Sequence, residues 1–319
     1  MKVIDLLRKH FLFLAFLGRT IFFVGCQDNS VEPTTSTTTA DKQAIVDVIN
    51  SDSLLTSFDT NYNEDGALNY LAKTNSEIKP FKVWQKMDLV NKAVDINFNG
   101  DTAYAHITKT FDGTLYIAGS LNINSTEPDT VFKKTFTSVI TRNVVLVKMT
   151  KEDTTINRWV IKAVSLAEGG TPSSNINITK ISVLLPNDDT LSISSPNDYY
   201  LVRKWGWFWW RWHNVPVIEH NKDVRIQVEL TSAYADTDFV SLTYGFSKFD
   251  GERCKKRFDL VSTNENGGIY TKVYEQTFRS NYFPGFFHAV INAIPKQVLF
   301  DDSVAVESNT WGIPYYIKF

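Results

Sequence analysis

The chain has 319 residues, 43% of them hydrophobic, 13% aromatic and 21% charged, with a formal net charge of −2 at pH 7. This length predicts two domains with a substantial core, and the mildly acidic balance gives no electrostatic drive toward nucleic acid. Past the first 25 residues no stretch approaches the ~20 apolar residues that a membrane-spanning helix needs. Residues 1–25 divide into three parts. Lys2, Arg8, Lys9 and His10 make a basic start diluted by Asp5, Phe11-Leu12-Phe13-Leu14-Ala15-Phe16-Leu17-Gly18 is uninterrupted and apolar, and Ile21-Phe22-Phe23-Val24-Gly25 extends it beyond Arg19. A basic start, a short apolar run and a small residue before a cut describe a secretory leader. Residues 26–40 contain Thr34-Thr35-Ser36-Thr37-Thr38-Thr39, a polar low-complexity run that buries too little apolar area to offset ordering entropy and reads as a tether.

The body starts at residue 41. Asp41 can cap a helix in which Ala44, Ile45, Val48, Ile49 and Leu55 keep helical spacing. A second short helix is expected over 65–73, around Leu68 and Leu71. The period then changes to two. Val94, Ile96 and Phe98 alternate with Asp95 and Asn97, Asn99-Gly100 signals a type I′ hairpin, and Ala103, Ala105 and Ile107 return. A two-residue turn centred on Asn99-Gly100 would set Ile96 opposite Ala103 and Val94 opposite Ala105, with both apolar sets on one face. Further strands are expected at 110–118, 132–149 and 158–166. Gly169-Gly170-Thr171-Pro172-Ser173-Ser174 reads as a linker, which divides the body into 41–168 and 175–319. The second part shows strand patterns at 176–185, 224–230, 240–246, 268–278, 286–294 and 315–319, separated by turn signals, as in a β-sandwich. The fold class expected is α+β, with N-terminal helices on a curved antiparallel sheet, followed by an all-β sandwich.

Three resemblances add to this reading. Phe23-Val24-Gly25-Cys26 resembles a bacterial lipobox, with phenylalanine where leucine is usual. The resemblance implies that Cys26 is acylated and becomes the amino terminus, and that Gln27 favours the outer over the inner membrane. The chain would then sit in the cell envelope, held to a membrane through its lipid anchor. Residues 41–167, by their leading helices, the 94–107 hairpin and the closing Trp159-Val160-Ile161-Lys162-Ala163-Val164, resemble the cystatin-like cone shared by nuclear transport factor 2, ketosteroid isomerase and scytalone dehydratase. Trp311-Gly312-Ile313-Pro314-Tyr315 resembles the last strand of immunoglobulin-like modules of bacterial surface proteins.

The most unusual local feature is Trp205-Gly206-Trp207-Phe208-Trp209-Trp210-Arg211-Trp212, which holds five of the eight tryptophans and follows Arg203-Lys204. In an extended segment Trp205, Trp207 and Trp209 would face one way and Phe208, Trp210 and Trp212 the other. These rings and Arg211 could pack within the chain, meet another envelope protein, stack on a glycan or enter a membrane interface. His213, His220 and His288 lack zinc-site spacing, and Asp188-Asp189 and Asp301-Asp302 read as turn residues. Cys254, within a basic run, reads as a strand residue; with Cys26 acylated it has no disulfide partner. The cone resemblance would place an acid–base group in a cavity, for which Asp95, Tyr104 and His106 are the candidates. All three fall opposite the apolar hairpin face. No cofactor is expected. A non-catalytic binding or assembly role is the expectation, with carbohydrate binding as the alternative and a cone-type isomerase or dehydratase as the third.

Overall fold

The computed structural model describes residues 39–52, 55, 68–69, 78–150, 157–173, 175–185, 189–204, 211–245 and 253–318. Helix α1 (Thr39–Ser51) is followed by β1 (Leu68–Asn69), β2 (Lys79–Asn99), β3 (Thr102–Ser120), β4 (Thr130–Thr150), β5 (Asn157–Ser165) and β6 (Ala167–Gly170). Next come β7 (Ile176–Leu184), β8 (Thr190–Ile193), β9 (Tyr200–Lys204), β10 (Arg211–His213), β11 (Val217–Glu219) and β12 (Asp223–Ser232). The chain continues with β13 (Phe239–Tyr244), β14 (Cys254–Arg257), β15 (Asp259–Asn266), β16 (Ile269–Arg279), β17 (Gly285–Ile294), the short helix α2 (Lys296–Phe300) and β18 (Asn309–Lys318).

Two sheets hold these strands. The larger runs β1-β2-β3-β4-β6-β18-β17-β13-β14, with β5, β9 and β10 branching from the far end of β4 and β11 added beside β18. The smaller is β15-β16-β12-β7-β8. Every pairing is antiparallel except β11 with β18. The smaller sheet packs on β13, β17 and β18 as a β-sandwich. Phe278 of β16 lies 4.8 Å from Tyr244 of β13 and 6.3 Å from Tyr315 of β18, ring centre to ring centre.

The expected α+β class is overturned. The protein is mostly strand, and its first part is not a cone of helices on a sheet. Only α1 precedes the sheet among the described residues, and Leu68, expected in a second helix, pairs as strand with Val83 of β2. The reason lies in β2, β3 and β4, which run for 21, 19 and 21 residues. So long a meander offers more inward face than one 13-residue helix can cover. Ile45 and Ile49 of α1 cover the end carrying Ala103, Ala105, Val144 and Ile161. The other end, with Val83, Leu115 and Ile117, is covered by Phe239, Ile294 and α2 (Val298, Leu299, Phe300). The sheet therefore curls through β6 and packs on a continuation of itself. At β6 the chains approach so closely that a Cβ on Gly169 would sit 2.0 Å from the Val139 carbonyl oxygen, so no other residue fits.

The 94–107 hairpin forms, with a corrected turn. Gly100 and Asp101 are its central residues, and the positive φ falls on Gly100 (57°). Ile96 pairs with Ala105 and Val94 with Ile107. The register is displaced by two residues from the expected one, and because side chains alternate with period two, the apolar set stays on the inner face.

The strands β13, β17 and β18 form a middle layer, buried on both sides over most of their length. Toward the meander this layer presents polar groups. The Asn292 amide donates to Gln85 Oε1 (3.3 Å) and accepts from Thr310 Oγ1 (2.9 Å), joining β17, β2 and β18. Near the start of β4 the Lys134 amine donates to the Val298 and Asp301 carbonyls, both at 2.8 Å, satisfying orphan acceptors where α2 ends. His288 of β17 is 7% exposed. Burial, with the nearby cations Arg142 and Arg253, holds its pKa down at about 3.

This histidine sets a pH dependence. The unfolded chain binds a proton at His288 below its ordinary 6.5 and the folded chain does not until about 3, so stability falls as pH drops through that window. Between pH 7 and pH 5 the loss from this group is about 2 kcal/mol. Urea unfolding of His288→Gln at both pH values is expected to show a correspondingly smaller acid loss than the parent; an identical loss would refute the assignment.

Candidate interaction surface

Strands β9 and β10 form a short ladder in which Lys204 pairs with Arg211, Arg203 with Trp212 and Val202 with His213. The ladder is joined to the body because β9 also pairs with β5, Val202 opposite Ala163. Trp205, Trp207, Phe208, Trp209 and Trp210 lie outside the described residues. Arg211 is placed by its backbone at the end of the ladder. Trp212 is half-buried and packs on the main core, so this one ring of the cluster is committed within the chain. The Arg203 guanidinium sits 4.7 Å from the centre of the Trp212 ring and reaches Asp52 at 3.1 Å.

That ion pair ties the ladder to the end of α1. Asp52 also accepts from the Leu55 backbone N–H (3.3 Å). At the other end of the helix Asp41 accepts from Trp159 Nε1 (2.8 Å) and pairs with Lys148 (3.3 Å), whose ammonium lies over the Trp159 ring. The residue expected as the helix cap is thus a link to the sheet. Both ends of α1 are pinned by carboxylates that meet cations on strands.

Beyond β10 the chain turns at Asn214 (φ 64°), where the side-chain amide donates to the Tyr200 carbonyl and the Asn214 carbonyl accepts from the Tyr199 hydroxyl. It then lays β11 along β18. The turn after β11 is locked to the β16–β17 connection. Ser280 Oγ donates to the Glu219 carbonyl (2.6 Å) and accepts from the Lys222 N–H (2.9 Å), and Arg279 Nε donates to Asn221 Oδ1 (2.7 Å). This frame projects two adjacent aromatic residues, Tyr282 and Phe283, which are 64% and 72% exposed. Tyr282 stacks on His220 with ring centres 5.8 Å apart and planes 17° off parallel. Phe283 stands at 89° to Tyr282, at 5.5 Å. On the same edge Val217 and Tyr316, register partners across β11 and β18, are 46% and 42% exposed. Sequence reasoning missed Tyr282 and Phe283. A Tyr-Phe-Pro-Gly stretch between strands carries no signal of exposure until the turn beneath it is known.

The remaining sequence candidates are scattered. Asp95 and Tyr104 are exposed and His106 is half-buried, all on the outer face of the hairpin, where His106 Nδ1 meets Asn143 Oδ1 at 2.7 Å. They point away from the packed face. His213 is exposed, His220 stacks on Tyr282, and His288 is buried in the middle layer. Among the described residues no three histidine, cysteine or acidic groups gather as a metal site. Asp301 closes a turn by accepting from the N–H and hydroxyl of Ser303, which hold its pKa below the ordinary value. Asp189 accepts from the Leu185 N–H through its carbonyl in the β7–β8 turn, and Asp188 lies outside the described residues. Cys254 opens β14 and is exposed. A cavity of about 240 Å³ on the smaller sheet is lined by Leu184, Leu185, Thr190, Asp223, Arg225 and Thr277. It is smaller than the roughly 300–1,000 Å³ of ligand pockets and holds no histidine or cysteine.

The ion pair under the ladder gives a measurable expectation. Arg203→Ala removes the guanidinium that compensates Asp52, whose side chain is 7% exposed, and should lower the unfolding free energy by about 1–3 kcal/mol. The double variant Asp52→Asn/Arg203→Ala should recover part of that loss. Equal urea midpoints for parent and single variant would show that the contact contributes nothing.

Comparison with protein-family models, with curated protein sequences and with solved structures finds no match to this chain.

Proposed function

We propose that the chain is a non-catalytic binding protein of the cell envelope, held to a membrane through lipid on Cys26, that presents the edge carrying Tyr282 and Phe283 to a protein partner. One observation carries the reading. Two neighbouring aromatic rings, 64% and 72% exposed, stand on a turn fixed by hydrogen bonds from Ser280 and Arg279. Apolar rings held out in water by a rigid frame cost free energy unless a partner covers them. Aromatic residues dominate the energy of such contacts, and Val217, Tyr316 and His220 extend the surface. The strand order fits a binding module. β15-β16-β12-β7 faces β14-β13-β17-β18, with β11 parallel to β18, an arrangement shared with immunoglobulin-like sandwiches. The membrane tether rests on the lipobox resemblance of Phe23-Val24-Gly25-Cys26.

A glycan partner fits less well. A sugar face lies on a flat platform, whereas Tyr282 and Phe283 stand at 89° to each other. Perpendicular rings suit a protein surface with a pocket for one ring and a wall for the other.

A photo-crosslinking residue at position 283, in the full chain expressed in its own envelope, should capture a defined protein. Tyr282→Ser/Phe283→Ser should keep the parent's circular dichroism and weaken that capture by roughly thirtyfold or more, as for the loss of about 2 kcal/mol at an aromatic anchor. Acyl chains should be found on Cys26 by mass spectrometry of the mature chain. Capture unaffected by the double substitution would remove the interface, and an unmodified Cys26 would remove the tether.

A further inference from the structure

The sandwich core contains a lysine. In β16 the inward positions read Lys272, Tyr274 and Phe278, and Lys272 is 0% exposed. Its ammonium nitrogen lies 2.8 Å from Oδ2 of Asp238, whose side chain is also 0% exposed. Asp238 ends the connection from β12 to β13. Its own N–H donates to the Tyr274 hydroxyl (2.8 Å), which in turn donates to Asp238 Oδ2 (3.3 Å). The Ser232 hydroxyl donates to the other oxygen, Oδ1 (3.2 Å). The Lys272 amine also donates to the Asp236 carbonyl, which orients it. An amine, a carboxyl group and two hydroxyls thus meet in a dry site.

Isolation from water changes the chemistry of such a pair. Two charges removed from solvent are strongly penalised, and burial raises the pKa of the Asp238 carboxyl. Passing one proton from the ammonium to the carboxylate leaves a neutral amine beside a neutral acid. The amine nitrogen is held 2.8 Å from a carboxyl oxygen, one bond away from the carbon it would attack, and fixed proximity of this kind replaces a high concentration of a second reactant.

We infer that Lys272 and Asp238 are joined by an intramolecular amide bond. The Lys272 Nζ–Asp238 Cγ bond forms and the Cγ–Oδ2 bond breaks. In the tetrahedral intermediate Oδ1 carries the developing charge and receives the Ser232 hydroxyl proton as a hydrogen bond. Oδ2 leaves as water, taking the protons released by the nitrogen directly across their 2.8 Å contact, with the Tyr274 hydroxyl donating to Oδ2 to assist its departure. An ammonium and a carboxylate become one amide and one water, and no oxidant, reductant or cofactor takes part. The bond would staple β16 to the start of β13, across the two sheets of the sandwich, between residues 34 apart in sequence. A covalent link between sheets that no reductant can open suits a body exposed outside the cell.

Tryptic digestion of the purified, denatured full chain decides the matter. The expected product is a branched species joining 226–248 to 258–279, lighter than its two parts by one water and uncut after Lys272. It should be absent from Lys272→Arg. In freshly refolded chain Tyr274→Phe should slow its appearance by about tenfold or more. Separate linear peptides from the parent, with cleavage after Lys272, would overturn the inference whatever the variants do.

Discussion

The structure depends on a middle layer that is covered on both faces over most of its length. Most residues of its strands β13, β17 and β18 must therefore meet another sheet. Toward β12 and β16 they offer Val240, Leu242, Ala289, Ile291, Ala293 and Ile313, and the sandwich closes on apolar contact. Toward β2 and β3 they offer Phe239 and Ile294 at one end and Asn292, Thr310 and His288 further along. That second face needs hydrogen-bond partners as well as shape, because an unmet polar group inside a protein costs more than the bond it would form contributes. Gln85 answers Asn292 from β2, and the meander curls back to bring it there. The close pass at Gly169 is the geometric consequence.

Charge is placed at the junctions of this three-layer body. Asp41 and Asp52 hold the two ends of α1 to β4, β5 and β9, and Lys134 seats α2 under β4. Lys272 and Asp238 join the sheets of the sandwich from within. Each of these contacts is directional, whereas apolar packing is not. An amphipathic helix can rotate on a sheet and keep most of its buried area; with a carboxylate fixed at each end it keeps one orientation. The same logic applies at the surface. Hydrogen bonds from Ser280 and Arg279 hold the residues just before Tyr282 and Phe283 to the turn after β11, so the aromatic pair is carried on a hydrogen-bonded frame.

Much of the strand content was legible in the amino-acid sequence, because alternation records burial directly. Val94, Ile96, Phe98, Ala103, Ala105 and Ile107 share an inner face as read, and the one-residue shift of the turn, which moves the register by two, changed nothing about that face. The apolar runs of β7, β12, β13, β16, β17 and β18 were visible for the same reason. The first half of β2 was not. Its inward set, Val83, Gln85 and Met87, includes a glutamine that reads as solvent-facing until Asn292 is seen across from it. Lys272 gave no signal for the same reason, since a lysine at an inward strand position is recognised only through its partner. The helix expected near Leu68 failed because apolar spacing over a few residues cannot tell a helix turn from a strand that pairs with Val83.

The sequence by itself determined which side chains share a face, since the period of a strand or helix is a local property of the backbone. It also supplied the apolar run that stops just before Cys26 and the aromatic run before Trp212. Only the tertiary structure decided what each face meets: that the inner face of a long meander is divided between α1 and a middle layer, that a lysine and an aspartate 34 residues apart touch inside a sandwich, and that Tyr282 and Phe283 stand in water. Those outcomes depend on contacts between distant segments, and no local pattern of residues encodes them.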